Sequence, residues 1–200
     1  MKRTALLLLL LAVSAAPALG QDTTTRVRGT IVSFEGNVLT VATAGESRRI
    51  ALSDGFRVVS IVKSDLTKVT PGTFVGCAAA TQPDGTLRAV EVHIFPEAMR
   101  GTGEGHRAYD LGPLSTMTNG TVDANGLVES AGGQVITLKY KDGEKKITVT
   151  KDTQIVAYEP GDAKALIPGA HVYVIAQRAP DGALSAARVN VGKNGLVPPM

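Results

Sequence analysis

Pro83-Asp84-Gly85-Thr86-Leu87-Arg88-Ala89-Val90-Glu91-Val92 returns as Pro180-Asp181-Gly182-Ala183-Leu184-Ser185-Ala186-Ala187-Arg188-Val189, 97 residues further along the chain. Extending that register lays Val38 to Phe95 over Val135 to Gly192 without a gap, with 15 of 58 positions identical. The identities fall where backbone geometry or burial is demanding. Pro71-Gly72 meets Pro168-Gly169, and Leu87, Ala89 and Val92 meet Leu184, Ala186 and Val189. Such an echo marks one folding unit used twice. Upstream, Gly29-Thr30-Ile31 matches Gly120-Thr121-Val122 at an offset of 91, so the second copy carries six extra residues, expected in its first hairpin around Asn125 to Gly133. Insertions there cost little.

Each copy reads as five or six short strands rich in Val, Ile and Thr. In the first they fall near 26–34, 37–43, 47–52, 57–61, 73–81 and 86–95. Pro83-Asp84-Gly85 joins the last two as a tight hairpin, since Pro presets a turn dihedral and Gly tolerates positive φ. Ser64 to Val69 is expected to form one helical turn with Ser64 as its N-cap, stopped by Pro71-Gly72. The fold class is therefore all-β, as two tandem OB-like barrels of five to six strands, each with a one-turn helix. The expected boundaries are a leader at 1–20, a first barrel at 26–95, a connector at 96–116, a second barrel at 117–192 and a tail at 193–200.

Period-two alternation assigns the faces. Val75, Cys77 and Ala79, with Val172, Val174 and Ala176, are expected inside, as are Val90, Val92 and Ile94 with Ala187, Val189 and Val191. The opposite faces carry Glu91 and His93 in one copy and Arg188 and Asn190 in the other, and Phe74 aligns with His171. Divergence of this kind suits a solvent or interdomain surface.

The paired Pro-Gly and Pro-Asp-Gly turns, the connector Phe95-Pro96-Glu97-Ala98-Met99-Arg100-Gly101-Thr102-Gly103-Glu104-Gly105-His106, the stretch Ser115-Thr116-Met117-Thr118-Asn119 and the tail Gly195-Leu196-Val197-Pro198-Pro199-Met200 carry a resemblance. Over nearly the whole chain after the leader, the protein resembles a family of uncharacterised secreted bacterial proteins built from an OB-like β-barrel domain of unknown function. Members often carry the automatic label "metal ABC transporter permease". The resemblance implies a barrel fold and no established chemistry. A permease needs several membrane-spanning helices, and beyond the leader no stretch here is long and apolar enough.

Lys2 and Arg3 precede an apolar run from Ala5 to Val13 that ends in small residues, about half a bilayer span, and so reads as a signal peptide. Cleavage is expected between Gly20 and Gln21, placing the mature chain in the periplasm or outside the cell. No Cys near that point supplies a lipid anchor. Loss of Lys2 and Arg3 leaves 19 basic residues against 18 acidic, a net charge of +1. That balance, with no Trp and four each of Phe and Tyr, gives neither the basic footprint nor the stacking platforms of a nucleic-acid binder.

Few residues offer chemistry. The single Cys77 sits on an inward stripe where the other copy has Val174, which suits an inert core thiol. His171 and His93 fall on outward strand positions. His106 lies in the 96–116 connector, which has no counterpart in either copy and is expected to lack regular structure; long connectors of that kind are functional or flexible. Candidate ligand- or partner-binding residues are therefore Arg100, Glu104, His106, Tyr109 and Asp110. A metal alternative would use His106, Glu104, Asp110 and His93 around a divalent transition metal, although no His-x-x-x-His, Cys pair or Met-rich run supplies the usual spacing. The run Gly101-Thr102-Gly103-Glu104-Gly105 lacks the Lys-Ser/Thr and the following helix of a phosphate loop and reads as a hinge. Asp84 and Asp181 repeat with the turn and so reflect geometry. No nucleophile stands beside a base.

The expected function is a non-catalytic secreted or periplasmic binding module without a cofactor, in which the faces of two barrels and their connector form a groove for a protein, a glycan or a small ligand. The alternative is a metal-handling protein centred on His106.

Overall fold

The computed structural model describes residues 24–200; the expected leader and its cleavage point lie outside them. Among the described residues the strands are β1 (Thr24–Glu35), β2 (Val38–Ala42), β3 (Ser47–Lys63), β4 (Phe74–Thr81), β5 (Leu87–Ile94), β6 (Gly105–Ala108), β7 (Ser115–Ser130), β8 (Gly133–Tyr140), β9 (Gly143–Val149), β10 (Gln154–Pro160), β11 (His171–Arg178) and β12 (Leu184–Gly192). Helix is confined to single 3-10 turns, and none is long and apolar enough to cross a membrane. The all-β class and the five-stranded barrels hold. The turn after β3 is capped by Asp65, which accepts from Thr67 N at 2.9 Å, and not by Ser64. Its repeat mate Asp162 accepts from Lys164 N at 2.7 Å.

What the repeat does not foretell is which strands share a barrel. β1 pairs β2, β2 pairs β3, β3 pairs β12, β12 pairs β11, and β11 returns to β1. The second circuit runs β7, β8, β9, β5, β4 and back to β7. Each barrel therefore takes three strands from one copy and two from the other. The boundaries 26–95 and 117–192 delimit the sequence copies, but neither closes by itself. The pairings obey the 97-residue translation: Leu184 lies beside Ile50 as Leu87 lies beside Ile147, and Arg188 beside Arg57 as Glu91 beside Gln154. A physical reason lies in β3. Its 17 residues span roughly 55 Å if straight. That run carries the chain out of the first barrel, so β4 and β5 are laid down in the second. β9 and β10 repeat the path in the opposite sense.

The two interiors follow the exchange. Val27, Ile31, Leu39, Val41, Ile50 and Leu52 pack on Val172, Val174, Ala176, Leu184, Val189 and Val191 in the first. Val75, Cys77, Ala79, Ala89 and Val92 pack on Val122, Ile136, Leu138, Ile147 and Val149 in the second. Cys77 is fully buried, as expected, and burial together with the nearby Glu91 charge holds its thiol pKa well above the ordinary value.

The expected β5 and β12 stripes need correction. Val90 is exposed and Ala187 also lies outside, while Ala89 and Ala186 are buried. The β4–β5 ladder steps from Ala79–Ala89 to Ala78–Glu91, leaving Val90 extra, and the β11–β12 ladder steps from Gln177–Ser185 to Tyr173–Asn190, leaving one extra residue on β12. A β-bulge shifts the alternation by one residue, so strict counting back from Ile94 and Val191 selects the wrong neighbour. The six extra residues of copy two fall in the expected hairpin, divided between a bulge at Asp123 to Gly126 and a longer β7–β8 ladder.

Between the barrels β12, β3, β10 and β5 form a continuous four-stranded layer. One face of it carries Val59, Ile61, Val156 and Tyr158, which pack with Phe74, Phe95, Tyr173 and Met200 as a third apolar cluster. The connector is not structureless. Its Gly105–Ala108 segment is β6, antiparallel to Thr116–Asn119 of β7, and this strand closes over the same face.

Candidate functional site

On that face the apolar cluster gives way to a cavity of about 250 Å³ at the seam of the two barrels. Its floor is made of buried His93, Asn119, Asn190 and Tyr173, and its walls of half-buried Arg26, Arg188 and Tyr109. Arg107, Gly103 and Ile175 stand exposed at the mouth. Residues 93 and 190 are one repeat position seen from the two copies, and Glu91 and Arg188 are another. The cavity is thus built where the duplicated face meets itself.

Glu91 is wholly buried and His93 nearly so, and His93 Nδ1–H donates to Glu91 Oε1 at 2.7 Å. The imidazole stacks on Tyr158 at 5.0 Å with rings 9° apart and meets Phe95 edge-on at 4.7 Å. Nε2 lies against Gly76, where a Cβ would come within 2.1 Å of it and within 2.6 Å of Asn119 Oδ1. Glycine is required at that point to admit both side chains. Its repeat mate is Tyr173, whose hydroxyl meets that of Tyr109 at 3.0 Å.

Several buried polar atoms here have no hydrogen-bond partner: Asn119 Oδ1, Asn190 Oδ1, Glu91 Oε2 and Arg26 Nε. The two amides are fixed from the other side, Asn119 Nδ2 donating to Thr102 O and Asn190 Nδ2 to Tyr173 O, each at 2.9 Å. Their oxygens are therefore presented as acceptors. An unpaired buried polar group costs about 1–3 kcal/mol, so such a cluster calls for a ligand or ordered water.

The charge is one-sided. Arg26, Arg107 and Arg188 line the cavity and no Asp or Glu does. Arg28 is satisfied by a bidentate pair with Asp110, at 2.9 and 2.7 Å, and that bond holds the Asp110 carboxyl below its ordinary range. Arg26 Nε is 3.9 Å from the same carboxylate, and the guanidinium lies over the Tyr109 ring at 4.9 Å. Arg188 has no hydrogen bond or ion pair among the described residues. Partial desolvation and the neighbouring Arg26 charge lower the Arg107 pKa, and burial raises that of Tyr109, followed by Tyr173.

Of the residues singled out in sequence, Tyr109 and His93 line this cavity and Asp110 flanks it. His93 is not on a solvent face: the seam covers it. Arg100 lies outside, paired with Glu97 and donating to Gly72 O at 3.0 Å. Glu104 accepts from Lys141 N at 3.1 Å, and His106 Nδ1 lies 2.8 Å from Thr118 Oγ1. Burial, then Lys145 and Arg107, lower the His106 pKa. His106, Glu104, Asp110 and His93 are therefore each held by separate partners and are not brought together, and no group of three or more His, Cys, Asp or Glu side chains suited to a metal occurs among the described residues. The supposed hinge is held in place as well, with Arg107 Nη1 donating to Gly103 O at 2.7 Å. Sequence reasoning missed Arg26, Arg107, Asn119 and Tyr173. Arg188 and Asn190 were visible as divergent mates of Glu91 and His93.

A family model described as a domain of unknown function, DUF5666, matches residues 125–190. The matched segment covers most of the second copy and supplies strands to both barrels. No curated protein and no solved structure matches the chain.

Proposed function

We propose that this protein is a non-catalytic binding module that works after export, in the periplasm or outside the cell, and holds a small ligand in the seam between its two barrels. The observation that carries the reading is the set of buried polar atoms left without hydrogen bonds around one cavity, Asn119 Oδ1, Asn190 Oδ1 and Arg26 Nε. Binding sites are concave, largely preformed and oriented by a few convergent polar groups. The seam also unites what the sequence suggested separately, namely the diverged faces of both copies and the connector. The non-catalytic part of the proposal rests on the sequence, where no nucleophile stands beside a base. Export rests on the leader, and N-terminal sequencing of the exported protein should find Gln21 first.

The first copy, sharing turns and interior with the second, reads as the same kind of domain. This extends the DUF5666 match at 125–190 toward the family resemblance seen in the sequence.

Native mass spectrometry of protein purified without denaturation tests the binding reading. A co-purifying mass below about 200 Da, lost in Asn190→Phe, is expected from a cavity that has room for roughly eight waters at 30 Å³ each. Protein that carries no small molecule and shows no thermal shift across a broad metabolite panel would contradict it.

A further inference from the structure

We infer that the seam ligand is a small organic acid of the hydroxy- or amino-acid type, with its carboxylate among Arg26, Arg107 and Arg188 and a hydrogen-bond donor directed at the buried oxygens of Asn119 and Asn190. This rests on the seam being a binding site and goes further by naming what fits it.

The cavity is polarised. Cationic donors occupy its walls and mouth, and acceptors occupy its floor. Guanidinium groups grip carboxylates in a planar, often bidentate manner, and here Arg26 Nε is buried without a hydrogen bond, with the Asp110 carboxylate 3.9 Å away, while Arg188 has no ion pair among the described residues. Arg28, the remaining cation of the seam, takes both Asp110 oxygens at 2.9 and 2.7 Å, so that carboxylate reaches Arg26 only at 3.9 Å, and neither Arg107 nor Arg188 has an ion pair among the described residues. On the floor the amide nitrogens are committed to Thr102 O and Tyr173 O, so both oxygens need a donor that the protein does not supply. Behind His93 the buried Glu91 leaves Oε2 as a further acceptor without a hydrogen bond. A simple anion would satisfy the walls and leave the floor unsatisfied, and a cation would do the reverse. A molecule with an oxyanion at one end and a hydroxyl or ammonium at the other satisfies both. The volume limits it to about eight to ten non-hydrogen atoms.

Calorimetric titration with four probes of matched size tests this: malate and aspartate carry both features, succinate lacks the donor, and succinamide lacks the charge. Malate or aspartate is expected to bind, with succinate at least about tenfold weaker and succinamide about a hundredfold weaker. Arg188→Gln should lose about tenfold in affinity, while Arg48→Gln, which is not among the cavity-lining residues and pairs with Glu46, should lose none. Circular dichroism of each variant keeps a folding defect from being read as lost binding. Succinamide binding as tightly as malate, or binding that ignores Arg188→Gln, overturns the charge assignment, and succinate equal to malate overturns the donor. If none of the four binds, the inference falls; the seam reading survives only if native mass spectrometry still finds a small molecule lost in Asn190→Phe.

Discussion

Ile61 and Tyr158 face one another in the antiparallel pair of β3 and β10, and they occupy the same position in the two copies of the repeat, 97 residues apart. The neighbouring pairs mirror this, Val59 with Pro160 and Lys63 with Val156, so a pseudo-twofold axis passes through that contact. The barrels exchange strands about this axis, and the seam cavity lies beside it. The architecture is that of a swapped dimer joined into one chain.

A consequence is that half of the chain is not half of the fold. A fragment ending near residue 104 keeps β1 to β3 without β11 and β12, and β4 and β5 without β7 to β9. Fragments 24–104 and 105–200 are each expected to lack cooperative thermal unfolding by circular dichroism, and mixing them should restore it. A cooperative transition in either fragment alone would show a self-sufficient barrel.

Removing His93 strands a buried charge. His93→Ala leaves Glu91, fully buried, without its one hydrogen-bond partner, and the loss of one member of a buried pair costs about 3–5 kcal/mol. Replacing both residues with apolar side chains, as in Glu91→Met with His93→Leu, should cost less than His93→Ala alone. Urea unfolding of the three proteins measures both, and a His93→Ala variant within 1 kcal/mol of the parent is the contrary result.

Gly76→Ala tests the packing of the site floor. The added methyl would meet the His93 ring at 2.1 Å and Asn119 Oδ1 at 2.6 Å, so the imidazole must leave its stack on Tyr158. Overpacking of this sort costs about 1–3 kcal/mol. The variant should lower the melting temperature and weaken ligand binding together, and unchanged values for both would refute the placement.

Acid should weaken the fold through particular carboxylates. The Lys139 ammonium, followed by backbone donors, lowers the Asp123 pKa to about 2, and Arg28 lowers that of Asp110. In both cases the folded value lies below the unfolded one. The stability they confer is therefore full above the ordinary value of 3.8 and is lost as pH falls towards about 2. Melting temperatures between pH 2 and 7 should show that fall, and Asp123→Asn should make it shallower. An unaltered acid limb in the variant would exclude Asp123 as a contributor.

The sequence makes the composition of the fold legible and leaves its wiring hidden. Turn chemistry is local, so Pro83-Asp84-Gly85 and Pro180-Asp181-Gly182 declare their hairpins; Asp84 Oδ1 and Asp181 Oδ1 accept from Thr86 N and Ala183 N, each at 2.9 Å. The inward stripe of Val75, Cys77 and Ala79 is equally readable because successive side chains of a strand point to opposite faces, although here both faces of β4 are buried. Strand exchange has no such signal. A β4 strand packs the same residues inward whether its partner is β1 or the repeat mate β7, so periodicity cannot distinguish the two. The bulges at Val90 and in β12 escape for a related reason, since no residue type there announces an extra residue in the ladder. The site was visible only as an anomaly: Glu91, His93, Arg188 and Asn190 break the apolar pattern at matching positions. The seam explains why polar residues there are buried.

Ala51 and Ser185 are neighbours in the parallel pair of β3 and β12, both exposed and both pointing away from the barrel interior, whereas the repeat mate of Ser185 is Arg88, which lies beside Thr148 in the other barrel. Cysteines on adjacent strands fall within disulfide reach. Under mild oxidation the Ala51→Cys, Ser185→Cys protein should form an intrachain disulfide, seen as faster migration on a non-reducing gel, and the Ala51→Cys, Arg88→Cys protein should not. Cross-linking of the second pair in place of the first would show that each copy closes its own barrel and would remove the seam on which the proposed binding function depends.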